Sequence, residues 1–164
     1  METGKRFTAP GPWNLFGVLV GVLLSAQLWA ASLSTSFVDV FVKDVPLGEA
    51  KRVENAKGQS LVFWNTGDVP LVIHVQALKP DGQELRPPAE PIEDPAWIMI
   101  QPSRLTLGPH EEGHCDVALS VPLKRNLRNR IFQAMIWTRS EPVQAQGISF
   151  TGGLKSRLRF QTTR

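Results

Sequence analysis

The sequence predicts an all-β chain: one antiparallel β-sandwich of about seven short strands, preceded by an N-terminal apolar helix. Three observations predict it. Beyond residue 36, apolar runs of about five to ten residues alternate with turn-forming segments. Gly and Pro number 13 each, a turn-rich composition that disfavours long helices. No window beyond the leader keeps a 3.6-residue apolar period for three turns. The 164 residues give room for one such domain and a short extra segment. The expected division is a signal-anchor or signal peptide over residues 1–31, a linker over 32–36, and the sandwich over 37–164.

The leader comes first. Lys5 and Arg6 precede an apolar run from Trp13 to Ala31, and no charge falls between Arg6 and Asp39. A basic start, an apolar stretch and small residues after it describe a secretory signal peptide. Cuts after Ala26 or Ala30 would place Leu24 or Leu28 where a small residue is preferred. The run is also long enough to span, because about 19 residues at about 1.5 Å each cover roughly 28 Å. Gly17, Gly21 and Ser25 recur every fourth residue, the spacing that lets membrane helices pack closely. A retained single-pass anchor and a cleaved leader both follow from these residues. In either case the basic flank stays in the cytoplasm and residues 32 onward lie across the membrane. No lipobox cysteine follows the run, which argues against a lipoprotein.

The strands follow. Phe37–Val42 places Val38, Val40 and Val42 on one face. Leu61–Trp64 and Val69–Leu78 flank Asn65-Thr66-Gly67-Asp68, which suits a short hairpin. Trp97–Ile100 is a brief apolar run, followed by Leu105 and Leu107. Cys115, Val117, Leu119 and Val121 alternate with polar or small residues. Ile131–Thr138 is apolar on both faces, as a central strand requires. Leu154–Phe160 sets Leu154, Ser156, Leu158 and Phe160 opposite Lys155, Arg157 and Arg159.

Several of these segments carry a resemblance. They are Asn65-Thr66-Gly67-Asp68-Val69-Pro70-Leu71, Trp97-Ile98-Met99-Ile100-Gln101-Pro102 with Leu105 and Leu107, and Gly108-Pro109 leading to Val117-Ala118-Leu119-Ser120-Val121-Pro122. Together they resemble the immunoglobulin-like domain of periplasmic pilus chaperones and the major sperm protein group. The resemblance covers about residues 37–160 and implies a single immunoglobulin-like sandwich. Pilus chaperones have two such domains, and this chain has room for one. Their subunit-anchoring basic residues match no position here, so the resemblance assigns no residue a role.

His110-Glu111-Glu112-Gly113-His114 satisfies the H-E-x-x-H pattern of zinc proteases. That chemistry needs a helix, which sets the two histidines on one face to grip zinc. Gly108 and Pro109 before the motif, Gly113 inside it and the strand pattern from Cys115 argue for a polar turn instead. A zinc-dependent hydrolase is therefore a remote alternative, and His110 and His114 are decoys. Cys115 opens an alternating strand and reads as a core residue. No Walker loop, dinucleotide fingerprint or CxxC is present, so no cofactor is expected and the chain reads as non-enzymatic.

Charge carries the remaining signal. Residues 32–123 hold a net of −6 and residues 124–164 a net of +8. Lys124, Arg125, Arg128 and Arg130 cluster in one loop, while Lys155, Arg157 and Arg159 line one strand face. Such a patch outside the cytoplasm suits an acidic partner subunit, anionic lipid headgroups or acidic envelope polymers, not nucleic acid. The segment Lys79–Ala96 is long, acidic and proline-rich, and Pro87, Pro88 and Pro91 stiffen it for docking along a partner. The last strand, at a sheet edge, offers backbone pairing to another chain.

The leading expectation is an accessory or scaffolding subunit of a bacterial envelope complex. It is held in the inner membrane by one helix over residues 13–31, with its domain in the periplasm binding protein subunits. The alternative is a soluble periplasmic or secreted chaperone-like binder that captures extended segments by strand addition.

Overall fold

The computed structural model describes residues 33–54, 57–143 and 152–164. The leader, with Gly17, Gly21 and Ser25, lies outside the described residues. Among the described residues no helix is long and apolar enough to cross a membrane. Eleven strands are described. They are β1 (Leu33–Thr35), β2 (Asp39–Val45), β3 (Ala50–Val53), β4 (Leu61–Asn65), β5 (Leu71–Leu78) and β6 (Glu90–Pro91). Then come β7 (Ile98–Gln101), β8 (Arg104–Leu107), β9 (Glu112–Ser120), β10 (Ile131–Pro142) and β11 (Gly152–Thr162). Short 3-10 turns sit at Pro95–Trp97 and Arg125–Leu127.

The strands build an immunoglobulin-like sandwich of two sheets. The first runs β1-β4-β9-β3, with β7 also on β9; the second runs β2-β11-β10-β5-β8, with β6 on β10. Two pairings, β2–β11 and β6–β10, are parallel, so the sandwich is not antiparallel throughout. Two-residue alternation decides what faces inward. Cys115, Val117, Leu119 and Val121 are all fully buried, as their spacing predicts. Phe132, Ala134 and Ile136 of β10 meet Phe160, Leu158 and Ser156 of β11 in register on the inner face. Phe132 holds the centre, with Trp97 edge-on at 5.4 Å and Phe160 tilted at 5.7 Å.

The strand count exceeds seven because strands break. β3 and β4 pair successive stretches of β9, Val53 opposite Val117 and Leu61 opposite Cys115. Ser60 fills the gap between them: its hydroxyl accepts from the Val117 N–H at 2.9 Å and donates to the Val53 carbonyl at 3.2 Å. β7 and β8 are separated by Pro102 and Ser103, where the chain passes from the first sheet to the second.

Three expectations are corrected. Leu33–Thr35, inside the stretch read as linker, pairs with β4 as β1. Val38 does not share the buried face of Val40 and Val42; it precedes the strand and is 66% exposed. Asn65–Asp68 is no hairpin, since β4 and β5 lie in different sheets. Asn65, fully buried, explains the crossing. Its side-chain N–H groups donate to the Val69 and Gly108 carbonyls at 2.7 and 2.8 Å, and its oxygen accepts from the Gly67 N–H at 3.0 Å. The side chain thus supplies the partners that a hairpin ladder would have supplied.

Candidate functional site

The H-E-x-x-H segment is a turn running into a strand. Glu111 N–H donates to the Gly108 carbonyl, and the Glu111 carboxylate accepts from the Gly108 N–H at 2.5 Å. His110 has a left-handed φ of 58° and meets Asp68 at 3.2 Å, whereas His114 lies within β9 opposite Val62. The imidazoles therefore lack the one-face helical relation that zinc chemistry needs. Gly113 is needed for packing, because a Cβ there would run into the Leu105 and Leu107 side chains. Cys115 is buried in the core, and burial pushes its thiol up to about 11, away from thiolate chemistry.

The proline-rich segment folds back onto its own domain. β6 pairs with Phe132 and Gln133 of β10, and Ile92 is fully buried. Gln133, also fully buried, clamps the segment: its amide N–H donates to the Glu84 carbonyl at 2.8 Å, and its oxygen accepts from the Arg86 N–H at 3.0 Å. The segment is thus a strap across the outer face of the second sheet, which explains why β10 is apolar on both faces. Met135, pointing outward, is 4% exposed beside it. Pro87 and Pro88 remain exposed at its tip, while Pro91 is half-buried in β6.

The strap and β2 absorb most of the basic face. Lys155 meets Glu84 at 2.5 Å, and Arg130 pairs with Glu90 bidentately through its Nε and Nη2 edge. Lys155 holds the Glu84 carboxyl below its usual range, helped by the Asp81 N–H; Arg130 does the same to Glu90. Arg157 and Arg159 both reach Asp39 of β2 at 3.1 Å, and Arg86 approaches it at 3.6 Å. That Asp39 collects three guanidiniums has no local sequence sign, because the partners are far apart in the chain. Lys124, Arg125 and Arg128 differ: they are exposed on the turn before β10, with no ion pair among the described residues. The basic candidates therefore divide into a compensated face and a bare turn just before β10.

The last strand is only partly an edge. β2 pairs with β11 from Arg157 to Thr162, and Arg157 N–H donates to the Val38 carbonyl at 2.8 Å. Before Val38 the chain has left for the first sheet as β1. Gly152–Ser156 therefore pairs with β10 alone among the described residues. By the two-residue repeat, Gly153 and Lys155 present their N–H and C=O groups to the same open side as Arg157. This five-residue gap lies at the end of the sandwich where Leu33 enters opposite Asn65. No apolar pattern could have located it, since it depends on where β2 begins.

Comparison with known proteins places the fold. No family model matches the chain, and no curated protein matches it. The PapD-like domain 7 of human CEP192, an ASH domain, is 13% identical with a TM-score of 0.59; the match covers 99% of this chain and 94% of that one. A chain of the Salmonella enterica SafA pilin–SafB chaperone complex is 10% identical with a TM-score of 0.55, covering 81% of this chain and 55% of that one. The E. coli chaperone DraB is 14% identical with a TM-score of 0.53, covering 80% and 56%. The chain spans little more than half the length of the chaperone chains it matches. The fold resembles that of the periplasmic pilus chaperones, as the resemblance in the sequence implied.

Proposed function

We propose that the chain is a non-enzymatic, exported binding protein that captures an extended segment of a partner protein by strand addition. The observation that carries this reading is the margin of the second sheet at Gly152–Ser156 of β11, which pairs with β10 alone among the described residues and is bounded by β2. An incoming strand there gains ladder hydrogen bonds on one side and abuts the start of β2. The Salmonella enterica neighbour is a complex of a chaperone with a pilin, which supports a protein segment as the ligand class. Export rests on Lys5, Arg6 and the apolar run over residues 13–31, and a periplasmic location accords with the periplasmic chaperones of the same fold. A photo-crosslinking residue at Lys155 captures an exported protein in living cells, and one at Arg52 on β3 does not. Equal capture from both positions overturns the assignment.

A membrane-anchored accessory subunit is the second reading, favoured by the spacing of Gly17, Gly21 and Ser25 in a run long enough to span. Retention of the anchor would set the open edge near the membrane. The bare turn of Lys124, Arg125 and Arg128 would then lie about 30 Å further out, the length of a nine-residue strand. That placement favours acidic envelope polymers or an acidic subunit over lipid headgroups at the turn. The N-terminal residue of the mature protein separates the readings: Met1 supports the anchor, and a start near residue 27–32 supports the soluble binder.

A further inference from the structure

The outer face of the second sheet has a half that the strap leaves bare, and its chemistry is one-sided. Arg104 of β8, His74 of β5, Arg139 of β10 and Gly153 of β11 stand directly opposite one another in register. In the next row Gln76 is opposite Trp137. His74, Gln76, Trp137 and Arg139 line a groove of about 60 Å³. That is about the liquid volume of two waters, room for one carboxylate. Among the described residues only Glu141 answers this row, 3.2 Å from Arg139. Arg104, His74, Gln76 and the Trp137 indole N–H have no partner among the described residues. Gly153 also keeps the indole uncovered, since a Cβ there would stand 3.1 Å from Trp137 Nε1.

We propose that this groove binds an acidic polysaccharide, taking a uronate carboxylate between Arg104, His74 and Arg139 with the sugar ring against Trp137. Two guanidiniums answered by a single carboxylate leave the row net positive, which selects an anionic ligand. The choice of glycan over acidic peptide follows from the strands beneath. β5 and β10 are each paired on both edges here, so a peptide laid across them gains no backbone hydrogen bond. A sugar ring carries its hydroxyls and carboxylate outward and places its C–H face on an indole at no such cost. The groove meets the open edge of β11 at Gly153, and Arg104, three strands away on β8, is the residue whose loss separates the two sites.

The test is calorimetric titration of the full chain with a hexamer of galacturonic acid. The expected result is saturable binding that weakens as salt rises from 50 to 200 mM. Arg104→Gln, on an exposed edge strand, weakens it about tenfold by removing one charge-assisted contact. His74→Gln is the second variant should the first not fold, with circular dichroism as the check. Arg125→Gln, on the distant basic turn, leaves affinity unchanged. Absence of binding, equal binding of neutral maltohexaose, equal binding of a hexaglutamate peptide, or full affinity in both Arg104→Gln and His74→Gln overturns the proposal.

Discussion

Replacing Gln133 by Leu tests whether the strap is held by this one buried amide. Leucine keeps roughly the volume and stays apolar, so the perturbation is the loss of two hydrogen bonds, to the Glu84 carbonyl at 2.8 Å and from the Arg86 N–H at 3.0 Å. Each such bond contributes about 0.5–1.5 kcal/mol net, so the strap loses about 2 kcal/mol against opening. A factor of ten per 1.4 kcal/mol converts this to about thirtyfold more opening. The reporters are the Ala89 and Ile92 amides, bonded to the Arg86 and Gln133 carbonyls at 2.9 and 3.0 Å. Their hydrogen exchange should accelerate about thirtyfold in Gln133→Leu, while Leu119 amide exchange in β9 changes far less. Unchanged exchange at Ala89 and Ile92 would show that Ile92 burial and the ion pairs suffice, and would refute the reasoning.

The remaining predictions concern the crossing, the thiol and acid. Asn65→Ala strands the Val69 and Gly108 carbonyls and the Gly67 N–H, and should lower the unfolding free energy by about 2–4 kcal/mol in a urea titration. Cys115 should resist a thiol reagent at pH 8 until the protein unfolds. Its raised pKa means that the unfolded chain loses the proton first, so thermal stability should fall as pH rises from about 9 towards about 11. The depressed Glu84 and Glu90 carboxyls work in the opposite sense: their contribution is present above the unfolded carboxyl pKa and is lost as pH falls through the folded value. Protection of the Ala89 and Ile92 amides, taken relative to the slower intrinsic exchange in acid, should therefore fall below about pH 4.

Local alternation was a reliable guide where a strand has one buried face. Cys115 to Val121 spells the inner face of β9, and Leu158 with Phe160 spells that of β11. The apolar stretch Ile131–Thr138 announced the central strand, but not that a strap would bury Met135 and Gln133 on the outer side. Turn chemistry misled at Asn65: the same residue types serve a hairpin or a crossing, and the choice depends on Gly108, 43 positions away. The motif at His110–His114 was legible as a turn because its helix had no length to stand on. The basic residues were visible, but their division was not. Asp39, Glu84 and Glu90 lie at least 40 positions from the cations they answer. The open edge was the least legible feature, since it arises where β1 departs from β2, a change that Ser36, Phe37 and Val38 barely mark.

Amide exchange along β11, resolved by residue in the free protein, bears most directly on the strand-addition surface. Gly153 and Lys155 should exchange rapidly because their N–H groups face open solvent, while Leu154, bonded towards β10, and Arg157, bonded to Val38, exchange slowly. Protection of Gly153 and Lys155 equal to that of Arg157 would mean that the chain already covers this edge, and no site for an added strand would remain.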